Sequence, residues 1–591
     1  MDINGRTLWT VLLTISLVVS TFTVIPMETS GDVLIVDAGG EGDHLKIQEA
    51  VDKAEPGDEI QVLSGLYEED VLIDKSLTLE GEEGVVISGE SYGVKVEADD
   101  CYIGNISVEQ SKVGIEVVGN SNSLNSIHVS ESGKGVVFFQ SKSNSLMNST
   151  IENCSTGILF YQDSSNLMKD CTVSGSEQQG IRVSGSQNST FSGNFVSSSG
   201  YHSIYLSRSD DVSVLDNNFT DNERGAYIFE SVRSRFVNNT LGDGLNLESD
   251  VREGWNTHEI YGNQVGDGSL EYYIDNSDVD LEFISGQIIL VNCSGFSIRH
   301  NDLSNVESGV TLASSSNNTI YGNDLRKNYR GVDMFNSENN TFHHNNFVNN
   351  TFQVHSVDGS SKDNSWSDGL GNGNHWSDYG GDDDGSGGRT AEDGVGDTEI
   401  PHPSDDNGYG YHGLDSEPLM DEVVKSNNVI ELNNDSGGWN FVSFGIEMGE
   451  VELDELLSTV DYEKVMYYSS EDDRWLSFVP GREDHFNEPI TLERSMGFWV
   501  NVQEQQELNL TGVVPTRTLV ELEPGWNMVG IAAMNDVSES ELPSEVDAVG
   551  IYNGSREYFI EYIEPGEVIL KRGSGYWIHN SGDDSVMWNV H

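Results

Sequence analysis

Arg182, Tyr205 and Tyr227 stand 23 and 22 residues apart. In a chain that winds at that period they fall on neighbouring coils about 4.8 Å apart, in one outward column. A guanidinium beside stacked tyrosine rings suits a glycan, cation to carboxylate and ring face to sugar face. His202 lies next to this group, and Arg208 and Glu230 would pair from coil to coil. The same residue types are also ordinary exposed strand residues. Catalysis asks for more. A glycosidase needs two carboxylates across one bond, and a lyase needs a base with cationic or metal neutralisation. Asp210 and Asp211 adjoin Arg208, but no spacing singles them out, so no catalytic residue is assigned.

Two further groups suit metals. Asp378 to Glu417 holds 12 acids and one base, Arg389, in 40 residues. Within it Asp382, Asp384, Asp393 and Asp397 lie in glycine-punctuated loops that can wrap calcium, a cation that takes six to eight oxygens. The spacing is not that of an EF-hand, and without a metal the block is a solvated, self-repelling linker. Copper would want His, Met or Cys clusters. His343-His344 is the best pair, and His300 lies 43 residues upstream, close to two periods and so not adjacent. Cys101, Cys154, Cys171 and Cys293 are too scattered for a disulfide framework and read as buried single thiols.

The elements that would position these residues come from a repeat. Asn301, Asn323 and Asn345 recur at spacing 22, and Asn194, Asn217 and Asn239 at 23 and 22. A second marker is Gly, before an apolar residue at Gly114, Gly135, Gly157, Gly180, Gly225, Gly309 and Gly331 and before Gln287 at Gly286. Asn and Gly tolerate left-handed corners, and stacked Asn side chains can form hydrogen-bonded ladders. After each Gly the chain alternates with period 2. One inner column is Ile115, Val136, Ile158, Ile181, Ile204, Ala226, Val310 and Val332. A second is Val117, Phe138, Phe160, Val183, Leu206, Ile228, Leu312 and Met334. The column between them, outward, reads Glu116, Val137, Leu159, Arg182, Tyr205, Tyr227, Thr311 and Asp333. Both inner columns are apolar at every coil, which describes a parallel β-solenoid with room for about 15 coils of about 22 residues, a rod near 70 Å long. A three-sided, right-handed form suits that coil length. Ile47, Ala50, Val51 and Ala54 predict one amphipathic helix, a cap on the open end. Between Asn263 and Asn301 the interval is 38 residues, a long excursion of the kind that carries binding or simply decorates.

The segment from Ile47 to Gly81 resembles the opening of right-handed parallel β-helix proteins of the pectate-lyase-like type. The stretches Tyr272 to Cys293, Asn374 to Tyr379 and Gly396 to Thr398 are similar to the NosD-like branch common on archaeal cell surfaces. The resemblance covers about residues 33–421 and implies the fold. Its superfold hosts lyases, hydrolases, adhesins and accessory proteins alike. The NosD name implies a copper-related role in maturing a nitrous-oxide-reducing enzyme.

Beyond the solenoid, Gly438-Trp439-Asn440-Phe441 recurs as Gly525-Trp526-Asn527-Met528, and Gly497-Phe498-Trp499-Val500 as Gly575-Tyr576-Trp577-Ile578. This is a duplicated β module whose Trp residues read as core rather than as sugar platforms. Leu453, Leu456, Leu457 and Val460 suggest one short helix in its first copy. At the other end Arg6 precedes 21 uncharged residues, Thr7 to Met27, a secretory signal or a retained membrane anchor.

The fold class is therefore all-β, a right-handed parallel β-helix followed by a duplicated small β module. The expected divisions are 1–30 signal or anchor, 31–368 β-helix with its capping helix, 369–424 acidic segment, and 425–591 the module, with copies near 429–512 and 518–591. With 99 acids against 30 bases the net charge is −69, which excludes nucleic acid and anionic membrane surfaces and matches the composition of salt-adapted proteins. The expected work is non-enzymatic binding of a polysaccharide or glycoprotein of the cell envelope by an exported adhesin or scaffold. The alternatives are a polysaccharide lyase or glycoside hydrolase, and a copper-related accessory protein. Calcium is the cofactor the acidic segment suggests. Thirteen Asn-x-Ser/Thr sequons add little, since many fall at repeat corners where Asn has its own structural reason.

Overall fold

The computed structural model describes residues 31–356 without a break. It also describes residues 361–590 apart from short segments, the longest being 387–393, 404–410 and 553–559. The first 30 residues, and with them the choice between signal and anchor, lie outside the described residues. No helix among the described residues is long and apolar enough to cross a membrane.

The chain is a parallel β-solenoid of about 15 turns, each of about 22 residues. One face is an 11-stranded sheet from Val33–Val36 to Glu259–Tyr261, and a second is a 9-stranded sheet from Val71–Ile73 to Leu245–Glu248. The third begins at Gly65–Tyr67 and gathers 15 strands. The cross-coil register follows the sequence columns, with Ile115 beside Val136 and Val136 beside Ile158. Every member of the two predicted inner columns is at most 1% exposed. Each such side chain contributes about 1.5–3 kcal/mol of burial. The capping helix spans Ile47–Lys53 and buries Ile47, Ala50 and Val51 on the first coil. Its N-terminal N–H groups are satisfied by the next coil, Ile47 and Gln48 donating to the Glu69 carboxylate over 2.8 and 3.1 Å. All four cysteines are free and buried.

The repeat markers work differently from one another. The corners with positive φ are mostly not Gly but exposed Asn, Ser, Asp and Gln, such as Asn148 (φ 50°), Asn238 (φ 56°) and Asn317 (φ 57°). Apart from Gly286 (φ 122°), the marker glycines are needed for space instead. A Cβ on Gly135 would lie 2.4 Å from the carbonyl oxygen of Gly157 on the next coil. The buried Asn of each coil forms the expected ladder. Asn301 N donates to Asn323 Oδ1 (3.0 Å), Asn323 N to Asn345 Oδ1 (3.0 Å) and Asn345 N to Asn374 Oδ1 (3.1 Å).

The uninterrupted rod expected from the repeat is broken at the long coil. After Gln264–Val265 the chain turns through Gly266 (φ 55°) and Asp267 into Gly268–Ile274, which runs antiparallel with Val265 opposite Gly268. A two-residue glycine turn is what a hairpin needs. The strands that carry the Gly marker thereafter, Gly286–Val291, Ser308–Ala313 and Arg330–Phe335, add to the 15-stranded sheet and not to the 9-stranded one. The result is two arms with separate cores, the first around Ile115 to Ile228 and the second around Val310, Leu312, Val332 and Met334. The outward face of the second arm packs on the first, so Ile289, Val291 and Ala313 belong to the first core. Thr311 and Asp333, expected on the same solvated column as Tyr205 and Tyr227, are instead 3% and 6% exposed in this joint.

The C-terminal module repeats its topology strand for strand. Trp439–Ser443, Gly497–Val502, Tyr462–Ser469 and Arg474–Phe478 form one four-stranded sheet. Gly525–Gly530, Gly575–Asn580, Val546–Tyr552 and Ile560–Ile563 form the other in the same order. A four-residue helix, Leu453–Leu456, stands in the first copy. Phe441 and Trp499 of one copy meet Met528 and Trp577 of the other in a shared buried cluster, so these tryptophans are core.

Candidate functional site

Arg182, Tyr205 and Tyr227 are brought into one column, Arg182 in register with Tyr205 and Tyr205 with Tyr227. The guanidinium carbon of Arg182 lies 5.8 Å from the Tyr205 ring centre, and the two tyrosine rings are 5.3 Å apart. Arg182 is exposed and Tyr205 half-buried. The same sheet face carries a parallel pair that the sequence reading missed, Phe139 and Tyr161, stacked at 5.6 Å and 37% and 38% exposed. The signal was present as aromatics two residues beyond the outward Val137 and Leu159, on the same side of the pleat. Arg208 and Glu230 form the expected coil-to-coil pair. Asp211 is held by Arg233 through two contacts of 2.8 Å, which fixes it as a structural partner.

Tyr227 has a different role from its neighbours because the second arm closes over it. Its hydroxyl donates to the Glu248 carboxylate, and burial followed by that carboxylate pushes its ionisation well up. Arg330 of the second arm, whose side chain is 12% exposed, lies against Asp333 at 3.3 Å. Burial pulls the Arg330 pKa down, but the charges of Asp333, Glu307 and Glu248 more than offset it. His202 is 2% exposed, donates from Nδ1 to the Gly225 carbonyl over 3.1 Å, and is pulled down to about 4 by burial. It is therefore neutral at pH 7 and is not a cationic member of the patch.

Beside this corner runs a groove of about 560 Å³ between the arms, lined by Arg224, Asp243, Glu307, Lys327 and Tyr329 among others. Arg224 sits between two rings, 3.7 Å from the centre of Tyr329 and 5.0 Å from that of Tyr201. Glu307 is 3% exposed and burial raises its pKa, against the pull of Arg224 and Arg330. Asp243 is pushed up to about 6 by burial and then by Glu307. The joint thus gathers positive and negative groups in a chain that is otherwise acid-rich, because closing the arms buries carboxylates that arginines must offset.

His343 and His344 are buried, with their Nδ1 atoms 2.9 Å apart. Asp368 brings a carboxylate into the same group, the donor atoms all lying within 4.8 Å of one another. His300 stays apart as expected, with Tyr321 between it and His343, edge-on to His300 at 5.6 Å and stacked on His343 at 5.1 Å. Among the calcium candidates Asp393 lies outside the described residues. Asp397 is 7% exposed, and its Oδ2 accepts from the backbone N–H groups of Asp384 and Gly385, both at 2.6 Å. The N–H of Asp397 donates to the Asp382 carbonyl over 2.9 Å. The Oδ1 atoms of Asp383 and Asp397 are both buried without a hydrogen-bond donor.

Comparison with known proteins places these features in a family. No curated protein matches the chain. Among solved structures, the surface adhesin PfbA of Streptococcus pneumoniae is 11% identical, the match covering 52% of this chain and 87% of that one at a TM-score of 0.31. The Dettilon tailspike protein is 10% identical over 90% of this chain and 88% of that one, at 0.30. DFA-IIIase from Arthrobacter chlorophenolicus A6 is 14% identical over 49% and 94%, at 0.35. Likenesses this distant bear on none of the chemistry described above. The family model described as "Periplasmic copper-binding protein (NosD)" matches residues 73–272 and 273–381. Together these are more than half of the 591 residues, and the chain belongs to the NosD family.

Proposed function

We propose that this protein works outside the cytoplasm as a non-enzymatic β-helix scaffold that binds a glycan of the cell envelope along the outer face of its first arm. The observation that carries this reading is one sheet face with two neighbouring columns, Phe139 beside Tyr161 in one and Arg182 beside Tyr205 in the other, next to the re-entrant corner closed by the second arm. Aromatic faces one coil apart offer stacking surfaces for successive sugars, and Arg182 offers a charge for a uronate or sulfate group. Tyr227 belongs to the joint and supports the corner from behind. The test is a glycan array with the purified protein, repeated with Tyr161→Ala plus Tyr205→Ala. Loss of at least about tenfold in affinity is expected from removing two stacking rings. Unchanged binding by the double variant would remove this face from consideration.

A second reading, polysaccharide cleavage, is favoured by Asp243 and Glu307, which line one groove and are both raised by burial. Raised carboxylates are the form a general acid takes. Reducing-end and unsaturated-product assays on any bound polymer decide between the two. Turnover that disappears in Asp243→Asn and Glu307→Gln would replace the binding reading.

Calcium in the acidic segment is proposed as a structural cation near Asp382, Asp383, Asp384 and Asp397. It is supported by the two buried carboxylate oxygens, on Asp383 and Asp397, that face no donor.

A further inference from the structure

We propose that His343, His344 and Asp368 form a site for one divalent transition-metal ion, held most tightly as copper(II), at the corner where the second arm ends.

The backbone explains why two adjacent histidines can act together. Neighbours in a strand point to opposite faces. His343 ends the strand Thr341–His343, and His344 follows with φ at +52°, so the chain turns between them and both rings reach one side. The two Nδ1 atoms are 2.9 Å apart. Two nitrogens bound to one metal at about 2.0 Å, with a bond angle between about 90° and 110°, stand about 2.8–3.3 Å apart. The pair therefore already has the bite of a chelate. His343 is further fixed by stacking on Tyr321 at 5.1 Å with the planes 5° apart.

The third donor comes from an irregularity of the repeat. The ladder step from Asn345 to Asn374 spans 29 residues instead of the usual 22, and this longer coil carries Asp368 back over the corner. Asn372 orients the carboxylate, its backbone N–H donating to Oδ1 at 3.0 Å and its Nδ2 to Oδ2 at 3.3 Å. A ligand carboxylate hydrogen-bonded from behind is the usual outer-shell arrangement at a metal. His344 is fully buried, His343 is 8% exposed and Asp368 is half-buried, so the group opens to solvent only on the carboxylate side.

Two imidazoles and a carboxylate are a borderline nitrogen and oxygen donor set. It suits copper(II) and zinc(II) over calcium or magnesium, and the general affinity order places copper(II) first. The set contains no sulfur donor, so it does not favour copper(I). The family description names copper, and this donor set fits that metal in its divalent state. When bound, the ion would supply Lewis acidity and a position for an outside ligand, while His343, His344 and Asp368 hold it and exclude bulk water from two sides.

This inference does not rest on the glycan reading and its test uses other readouts. The full chain, freed of metal, is titrated with copper(II) and with zinc(II) by calorimetry in high salt, which screens weak binding to the acidic surface. One tight equivalent is expected, with copper(II) preferred and an electron paramagnetic resonance spectrum showing two imidazole nitrogens. His343→Asn should weaken copper(II) binding at least about 100-fold, as for loss of a ligand. Asp368→Asn keeps an acceptor for Asn372 and guards against a folding defect. It should weaken binding while leaving the thermal midpoint of the metal-free protein unchanged. Absence of a tight equivalent in the wild type overturns the proposal. So does a spectrum without imidazole nitrogen, or an Asp368→Asn variant that binds copper(II) as the wild type does.

Discussion

The indole N–H of Trp376 donates to Oδ2 of Asp415 over 2.8 Å, and the backbone N–H of Asn374 donates to the same oxygen at 2.8 Å. Asp415 is fully buried and comes from the acidic segment, which returns to the solenoid after leaving it. Asn374 is the last rung of the buried Asn ladder, so one carboxylate closes both the ladder and the final strand, His375–Trp376. An open solenoid end leaves ladder donors without acceptors, and this end is sealed by a side chain from outside the repeat.

Asp415→Ala should therefore destabilise the end of the second arm. It strands the donors of Asn374, Trp376 and Glu417, each at about 1–3 kcal/mol when buried. A loss of at least about 3 kcal/mol is expected in denaturant unfolding. Hydrogen exchange should quicken first at Asn374 and Trp376, and unchanged protection there would refute the capping role.

Asp163 occupies a buried column otherwise made of Ser141, Ser186, Ser209 and Ser231, in which Ser186 N donates to Ser209 Oγ and Ser209 N to Ser231 Oγ. Burial pushes its carboxyl up to about 6, above the usual carboxylate value. The folded state thus holds this proton more tightly than the unfolded chain. The corresponding stability is fully present below about pH 4 and is lost as pH rises towards 6. Asp163→Ser should raise stability by about 2–3 kcal/mol above pH 7 and change little at pH 4. Thermal melts across that range measure it, and an equal gain at both ends would contradict the assignment.

Gln287 clasps the two arms. Its Oε1 accepts from the N–H of Leu245 at 2.9 Å and its Nε2 donates to the carbonyl of Leu245 at 2.8 Å, with the side chain fully buried. Leu245 opens the last strand of the 9-stranded sheet, where no further parallel strand arrives to satisfy it. Gln287→Leu should cost about 2–4 kcal/mol, from two buried backbone groups left unpaired. Small-angle scattering should show a longer particle if the joint loosens. A variant as stable as the wild type would show that the clasp is dispensable.

Calcium added to metal-free protein should raise the thermal midpoint and give a single heat of binding. Asp397→Asn should abolish both, because it removes the buried carboxylate at the centre of the acidic turn. Absence of any heat from calcium would leave the segment as a linker and end cap.

Much of this molecule was legible in the sequence because a coil repeats the same physical problem. Ile115, Val136 and Ile158 each fill the same position, so one period read from Gly and Asn spacing fixes their register, their burial and the adjacency of Arg182, Tyr205 and Tyr227. The duplicated module and the buried thiols follow from equally local patterns. The sites depend on departures from that pattern. The Gly266-Asp267 turn reverses one strand and thereby moves Thr311 and Asp333 from the solvent side into a joint. The longer coil before Asn374 carries Asp368 to His343 and His344. Periodicity determines which side chains share a column. Only the tertiary structure decides which columns face each other, because that depends on where a strand changes direction and what the closing surfaces must bury.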